Sequence, residues 1–153
     1  MKKICALLIP CEGEIKLIEI NDDIEEKQKM VGGPISHVSV AEDNPFLIVV
    51  NKDAKSNKLP LNIRGTCIAN SFCRVTNQFF RDIAVFGDVL VEGCRVDNEL
   101  QEFESCSLPI LYLEEIIEFC NKADIWWNSM GKKIANSAYI KWLTKPQNIE
   151  EEF

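Results

Sequence analysis

The chain reads as an α+β fold: a mostly antiparallel sheet with one short helix in its N-terminal part, followed by a two-helix C-terminal extension. Three observations predict this. β-Branched apolar runs separated by turn residues fill residues 1–95, which is the pattern of hairpins. One stretch among them, Asn21 to Val31, carries helix-start and helix-stop residues. From Ser107 onward apolar residues recur at the spacing of an α-helix.

Ile4 to Ile9 is continuously apolar, as in a strand covered on both faces, and Pro10-Cys11-Glu12-Gly13 turns the chain into a second strand, Glu14 to Ile20. Asn21, Asp22 and Asp23 then offer N-cap oxygens, with Glu25 and Glu26 where the positive end of a helix favours carboxylates. Ile24, Gln28 and Val31 form a narrow inward stripe, and Gly32 ends the helix as a left-handed C′ residue. Gly33 frees the backbone and Pro34 forbids helical continuation. Ile35 to Val40 and Phe46 to Val50 read as a second hairpin, the latter strand central in the sheet. Lys52 to Lys58 is a polar surface loop. Leu59 to Arg64 returns to the core through Leu59, Leu61 and Ile63, with Asn62 and Arg64 on the other face. Cys67 to Val75 fits a strand or a helical turn. Val89 to Val91 is a last strand, ended by Gly93.

Residues 96–106 form a connection in this reading, and residues 107–145 the helical extension of a single domain spanning 1–153. Ser107 caps the first helix and Pro109 sits in its first turn, with Ile110, Leu111, Leu113, Ile116, Ile117 and Cys120 making a wide apolar face. Trp126, Met130, Ile134 and Ala138 mark the second helix. Trp126 and Trp127 point about a hundred degrees apart on such a helix. One face cannot bury both, so Trp126, Trp127, Met130 and Trp142 are candidates for contact with a partner or a second copy of the chain.

Composition narrows the function. With 153 residues, 46% hydrophobic and 27% charged, the chain is long enough to bury one core. A formal charge of −7 and a pI near 4.8 oppose broad binding along a phosphate backbone, so nucleic acid in bulk is not expected as a partner. Seven cysteines without a Cys-x-x-Cys pair suit a reducing cytoplasm better than a disulfide framework. His37 is the only histidine and has no cysteine beside it, so neither a metal nor another cofactor is expected. The apolar run after Met1-Lys2-Lys3 is too short for a signal sequence or a membrane span.

The candidate binding set is Gly32, Gly33, Asn51, Lys52, Asn62 and Arg64. Glycine turns can present unpaired amides to an anion, an arginine fork grips phosphate, and asparagines read a base or ribose. Each residue also has an ordinary use: glycines end helices, asparagines cap turns, and Arg64 needs some partner in an apolar run. His37 reads as a strand residue, and Cys67 and Cys73 as core thiols. Asp82, Asp88, Glu92 and Asp97 read as solvated or capping, so no catalytic set is expected.

Lys29-Met30-Val31-Gly32-Gly33-Pro34-Ile35, the strand from Phe46 to Asn51, Leu59-Pro60-Leu61-Asn62-Ile63-Arg64, and Phe86-Gly87-Asp88-Val89-Leu90-Val91 occur here in a specific order. In that order they resemble the uncharacterised family catalogued as domain of unknown function 3846, over residues 1–95. The resemblance implies a small accessory protein of phages, plasmids and firmicute genomes, with no established chemistry. Pro34 stands where the family commonly has Tyr, Lys52 where it often has Glu, and Ile63-Arg64 where it usually has two arginines. The expected function is a non-enzymatic accessory protein of a phage or mobile element that binds a small phosphorylated ligand, such as a nucleotide signal of host defence. The alternative is an inhibitor of a host protein that imitates nucleic acid through Asp22, Asp23, Glu25 and Glu26. A hydrolase or transferase built on Cys67, Cys73 or His37 ranks third. A homo-oligomer in the host cytoplasm, with no membrane partner, completes the expectation.

Overall fold

The computed structural model describes residues 2–38, 46–72, 84–97 and 102–131. Six strands form one antiparallel sheet: β1 (Lys3–Ile9), β2 (Lys16–Asn21), β3 (Ile35–Val38), β4 (Phe46–Asn51), β5 (Val89–Asp97) and β6 (Glu102–Cys106). Their order is β2-β1-β5-β4-β3, with β6 paired to the far half of β5. The register sets Leu7 against Val91 and Ile48 against Val91, so β5 is flanked on both sides by strands. Beyond that point β6 takes over one flank, with Cys106 opposite Gly93. There Leu108 N donates to Cys5 O at 2.9 Å. A Cβ at Gly93 would stand 2.2 Å from Ser107 O, so only glycine admits this crossing.

Strand alternation divides the apolar residues between two faces. On one face Leu7, Ile9, Phe46, Ile48, Val89 and Val91 pack against Ile68 and Ala69 of α2 (Ile63–Phe72) and Ile116 and Cys120 of α3 (Ile110–Trp126). On the other, Ile4, Ala6, Ile20, Val49 and Leu90 pack against Val31 of α1 (Ile24–Val31). The sheet is thus covered on both sides, and each fully buried aliphatic side chain contributes about 1.5–3 kcal/mol.

α1 forms as its sequence dictates. Asp23 caps it through Glu26 N, and Gly32 closes it at φ 83°. Its inward stripe differs from the expected one, because Ile24 is exposed and Lys27 is buried in its place. Four further expectations give way. Leu59 to Arg64 is no strand: after a single bridge between Leu61 and Phe86 the chain enters α2, which also resolves the ambiguous Cys67 region as helix. Gly93 does not end its strand, since pairing with β6 carries β5 to Asp97. Part of the 96–106 connection is therefore the β5–β6 hairpin. Ser107 does not cap α3, because its Oγ accepts from Cys5 N at 3.0 Å and Pro109 stands at the cap without a side-chain bond. At the start of the second expected helix, α3 runs through Trp126 into a π-helical turn, Trp127–Gly131. Residues 132–153, with Trp142, lie outside the described residues, as do Cys73 and Asp82. Among the described residues no helix is long and apolar enough to cross a membrane.

Candidate functional site

Asn62 organises the site. Preceded by Pro60, it precedes the first turn of α2, and its Oδ1 accepts from Gly65 N at 2.8 Å as an N-cap does. Its Nδ2 donates to Ile9 O at 3.0 Å and Gly87 O at 2.9 Å, joining the end of β1 to the segment before β5. The side chain is fully buried and every bond it makes is structural.

That cap fixes Arg64 in the first turn of α2, facing the end of α3. Its Nε lies 2.9 and 3.1 Å from the two Asp124 carboxylate oxygens and its Nη2 2.9 Å from Oδ2. Its Nη1 donates to Gly13 O at 2.6 Å and Pro10 O at 3.3 Å. The bonds it donates to Asp124 lift the guanidinium above its ordinary range, against the opposing effect of burial.

Arg64 and Asp124 line a cavity of about 720 Å³ that opens to solvent. Pro60, Leu61 and Ile63 give it an apolar floor, Trp127 and Asn128 from the π-helical turn a wall, and Glu12 and Gly13 of the β1–β2 turn a rim. A π turn re-aims side chains relative to the α-helical phase, and such turns recur at functional sites. Here it separates Trp126, which is 40% exposed, from half-buried Trp127 in the groove. The two rings lie 6.2 Å apart, tilted by 44°. Cys11 and Pro60 also border an adjoining cleft of about 410 Å³, which Lys29, Gly32 and Asp88 help to line.

The six sequence-predicted binding residues are therefore not gathered in one pocket. Gly32 lines the smaller cleft and Arg64 the larger. The glycine amides are not free, because Gly32 N and Gly33 N both donate to Gln28 O, at 2.8 and 3.1 Å. Asn51 is buried: Nδ2 donates to Val31 O at 3.3 Å, and Oδ1 accepts from Asp53 N at 2.9 Å. Lys52 is exposed, its N donating to Pro34 O at 2.7 Å. Trp142 and the side chain of Met130 lie outside the described residues. Sequence reasoning passed over Cys11, Gly13, Asp124 and Asn128. Only Asp124 left a trace, since it extends the buried stripe Ile116 and Cys120 by one more step of four, where a carboxylate needs a cation.

A second polar cluster lies under α1. Glu92, which reads as solvated in the sequence, is 0% exposed on β5. Its Oε1 accepts from Ser105 Oγ at 2.8 Å, and its Oε2 lies 2.9 Å from Lys27 Nζ, an ion pair and not a well-directed hydrogen bond. Lys27 Nζ also reaches Asp22 Oδ1 at 2.9 Å. Burial alone would lower the Lys27 pKa, but its bonds to Asp22 and Glu92 outweigh that and hold it above the usual lysine value. This cluster fastens α1 to β5 and β6.

Of the four carboxylates in the acidic stretch, Glu25 is exposed in the first turn of α1 and the other three have partners. Asp22 is paired to Lys27, Asp23 caps α1, and Glu26 accepts from Asn21 Nδ2 at 3.1 Å. Three thiols are disfavoured as thiolates: burial, then the charge of Asp88, pushes Cys11 up to about 11, and burial raises Cys67 and sends Cys120 up to about 12. His37 stands exposed on β3. Among the described residues no group of three or more His, Cys, Asp or Glu side chains is placed to hold a metal ion.

A family model described as "Domain of unknown function (DUF3846)" matches residues 1–118. No curated protein and no solved structure matches the chain.

Proposed function

The chain belongs to the DUF3846 family, and from that premise we propose that it is a non-enzymatic accessory protein that binds a small anionic ligand in the Arg64–Trp127 groove. The observation that carries this reading is one guanidinium, held between Asp124 and two backbone carbonyls, in the wall of an open cavity of about 720 Å³ that Trp127, Pro60, Leu61 and Ile63 also line. An arginine fork next to an aromatic face suits a ligand with an oxyanion at one end and a planar ring at the other. Nucleotides are the leading class with that chemistry. In a phage or mobile element, a protein of this kind would sequester a nucleotide signal of host defence in the host cytoplasm. The exposed Trp126 supports contact with a second copy of the chain at the end of α3.

The glycine turn plays a different part in this reading from the one its sequence suggests. It closes α1 and borders the smaller cleft instead of gripping the anion through its amides. Calorimetry against linear and cyclic nucleotides tests the proposal, with Arg64→Ala as the control. A saturable heat for one nucleotide in the parent, lost in Arg64→Ala, supports the groove. Unchanged heat across the whole set, in parent and variant alike, removes it.

A further inference from the structure

The geometry points to Asp124 as an internal stand-in for the ligand: its carboxylate occupies the arginine fork until an oxyanion carried on an aromatic body replaces it. The inference rests on the binding reading above and deepens it by assigning the exchange step.

The grip on Asp124 is the one a bound carboxylate or phosphate would receive. Nε and Nη2 converge on the two oxygens at 2.9–3.1 Å. Arg64 does not depend on Asp124 for its aim, because Gly13 O and Pro10 O hold Nη1 from the other side. Removing the carboxylate therefore leaves a guanidinium still pointed at the cavity. The two partners differ in how easily each can leave, for the Asp124 side chain is 36% exposed and that of Arg64 only 14%. Asp124 also sits at the last turn of α3, where the π-helical turn begins and Trp127 N bonds to both Ala123 O and Asp124 O. A rotamer change there takes the carboxylate into water without moving the sheet.

Charge makes exchange necessary. Among the described residues, Glu12, Asp124 and Arg64 are the charged groups lining the larger cavity, and together they sum to one negative charge. An anion entering beside an intact ion pair meets repulsion from Glu12 and a neutralised fork. One entering in place of Asp124 takes up the full guanidinium charge and retains Trp127 and Leu61 as a platform for its ring.

Titration calorimetry of the full chain with adenosine 5′-monophosphate, benzoate and adenosine tests the exchange, with folding of each variant checked by circular dichroism. Asp124→Asn keeps shape and removes the competing charge, and is expected to bind the monophosphate and benzoate about tenfold more tightly than the parent while leaving adenosine unchanged. Asp124→Ser serves as a second variant should the first fail to fold. Glu12→Gln removes an equal charge from the same walls without opening the fork and is expected to gain less than about twofold. If the parent binds, and the Asp124 variants bind no better than the parent or no better than Glu12→Gln, the exchange is overturned while the groove stands. If neither the parent nor an Asp124 variant takes up any of these probes, both the exchange and the binding reading are overturned.

Discussion

Replacing Lys27 with methionine exposes the central electrostatic dependency of the fold. The substitution keeps the length of the side chain but leaves Glu92, 0% exposed in the middle of the sheet, with only Ser105 as a partner. Breaking a buried ion pair on one side costs about 3–5 kcal/mol. Asp22 adds little to that loss, because its side chain is partly exposed and Lys2 Nζ remains 3.7 Å away. With total stability of about 5–15 kcal/mol, the variant loses about a fifth of it or more. At an m-value of about 2 kcal/mol/M the urea midpoint should fall by roughly 2 M. Lys27→Met with Glu92→Gln removes the stranded charge while keeping an acceptor for Ser105, and should recover at least half of the loss. The pH dependence has a fixed sign. Because the folded pKa of Lys27 lies above the unfolded value of 10.5, its contribution is fully present below 10.5 and is lost as pH rises through the raised value. A midpoint shift below about 0.5 M at neutral pH, or no recovery in the double variant, would refute the reasoning.

Four further outcomes follow from particular contacts. Asn62→Ala should cost about 2–4 kcal/mol in urea unfolding, since it removes the α2 cap and leaves two buried carbonyls unpaired. Asn62→Asp keeps the cap acceptor but turns an oxygen toward Ile9 O and Gly87 O, so it should be at least as damaging. Gly93→Ala, with its Cβ at 2.2 Å from Ser107 O, should lower stability by at least about 2 kcal/mol and loosen the β5–β6 pairing, visible as faster amide exchange at Leu108 and Cys106. Cys11, pushed up to about 11, is almost wholly thiol at pH 8, so alkylation by iodoacetamide followed by mass spectrometry should be on the order of a hundredfold slower than for a free cysteine.

Residues whose structural partners are close in sequence were legible before any coordinates. The cap of Asp23 on Glu26, the left-handed Gly32 and the hairpin of β3 with β4 are all read from short-range turn and alternation rules. Lys27 and Glu92 illustrate what local rules miss. They are far apart in the chain, each looks like an ordinary surface charge, and only the packing of α1 over β5 brings them to 2.9 Å. Leu59 to Arg64 misleads for a related reason, since Leu59, Leu61 and Ile63 alternate as a strand would. Asn62 decides the outcome by capping a helix, and neighbours on two other segments, Ile9 and Gly87, fix that cap. The candidate site was half visible. Arg64, a cation in an apolar run, announced a need for an anion, but Asp124, sixty residues on, was passed over, and only the packing of α2 against α3 brings the two together.

The most direct test of the groove is a backbone and indole amide NMR titration of the full chain with the nucleotide that gives the largest calorimetric response. Binding in the groove predicts saturable shifts at Gly13, Leu61, Arg64, Asn128 and the Trp127 indole N–H, with the β3 edge around His37 unchanged. Shifts confined to another surface, or none at saturating nucleotide, would contradict a ligand site between the β1–β2 turn and the end of α3.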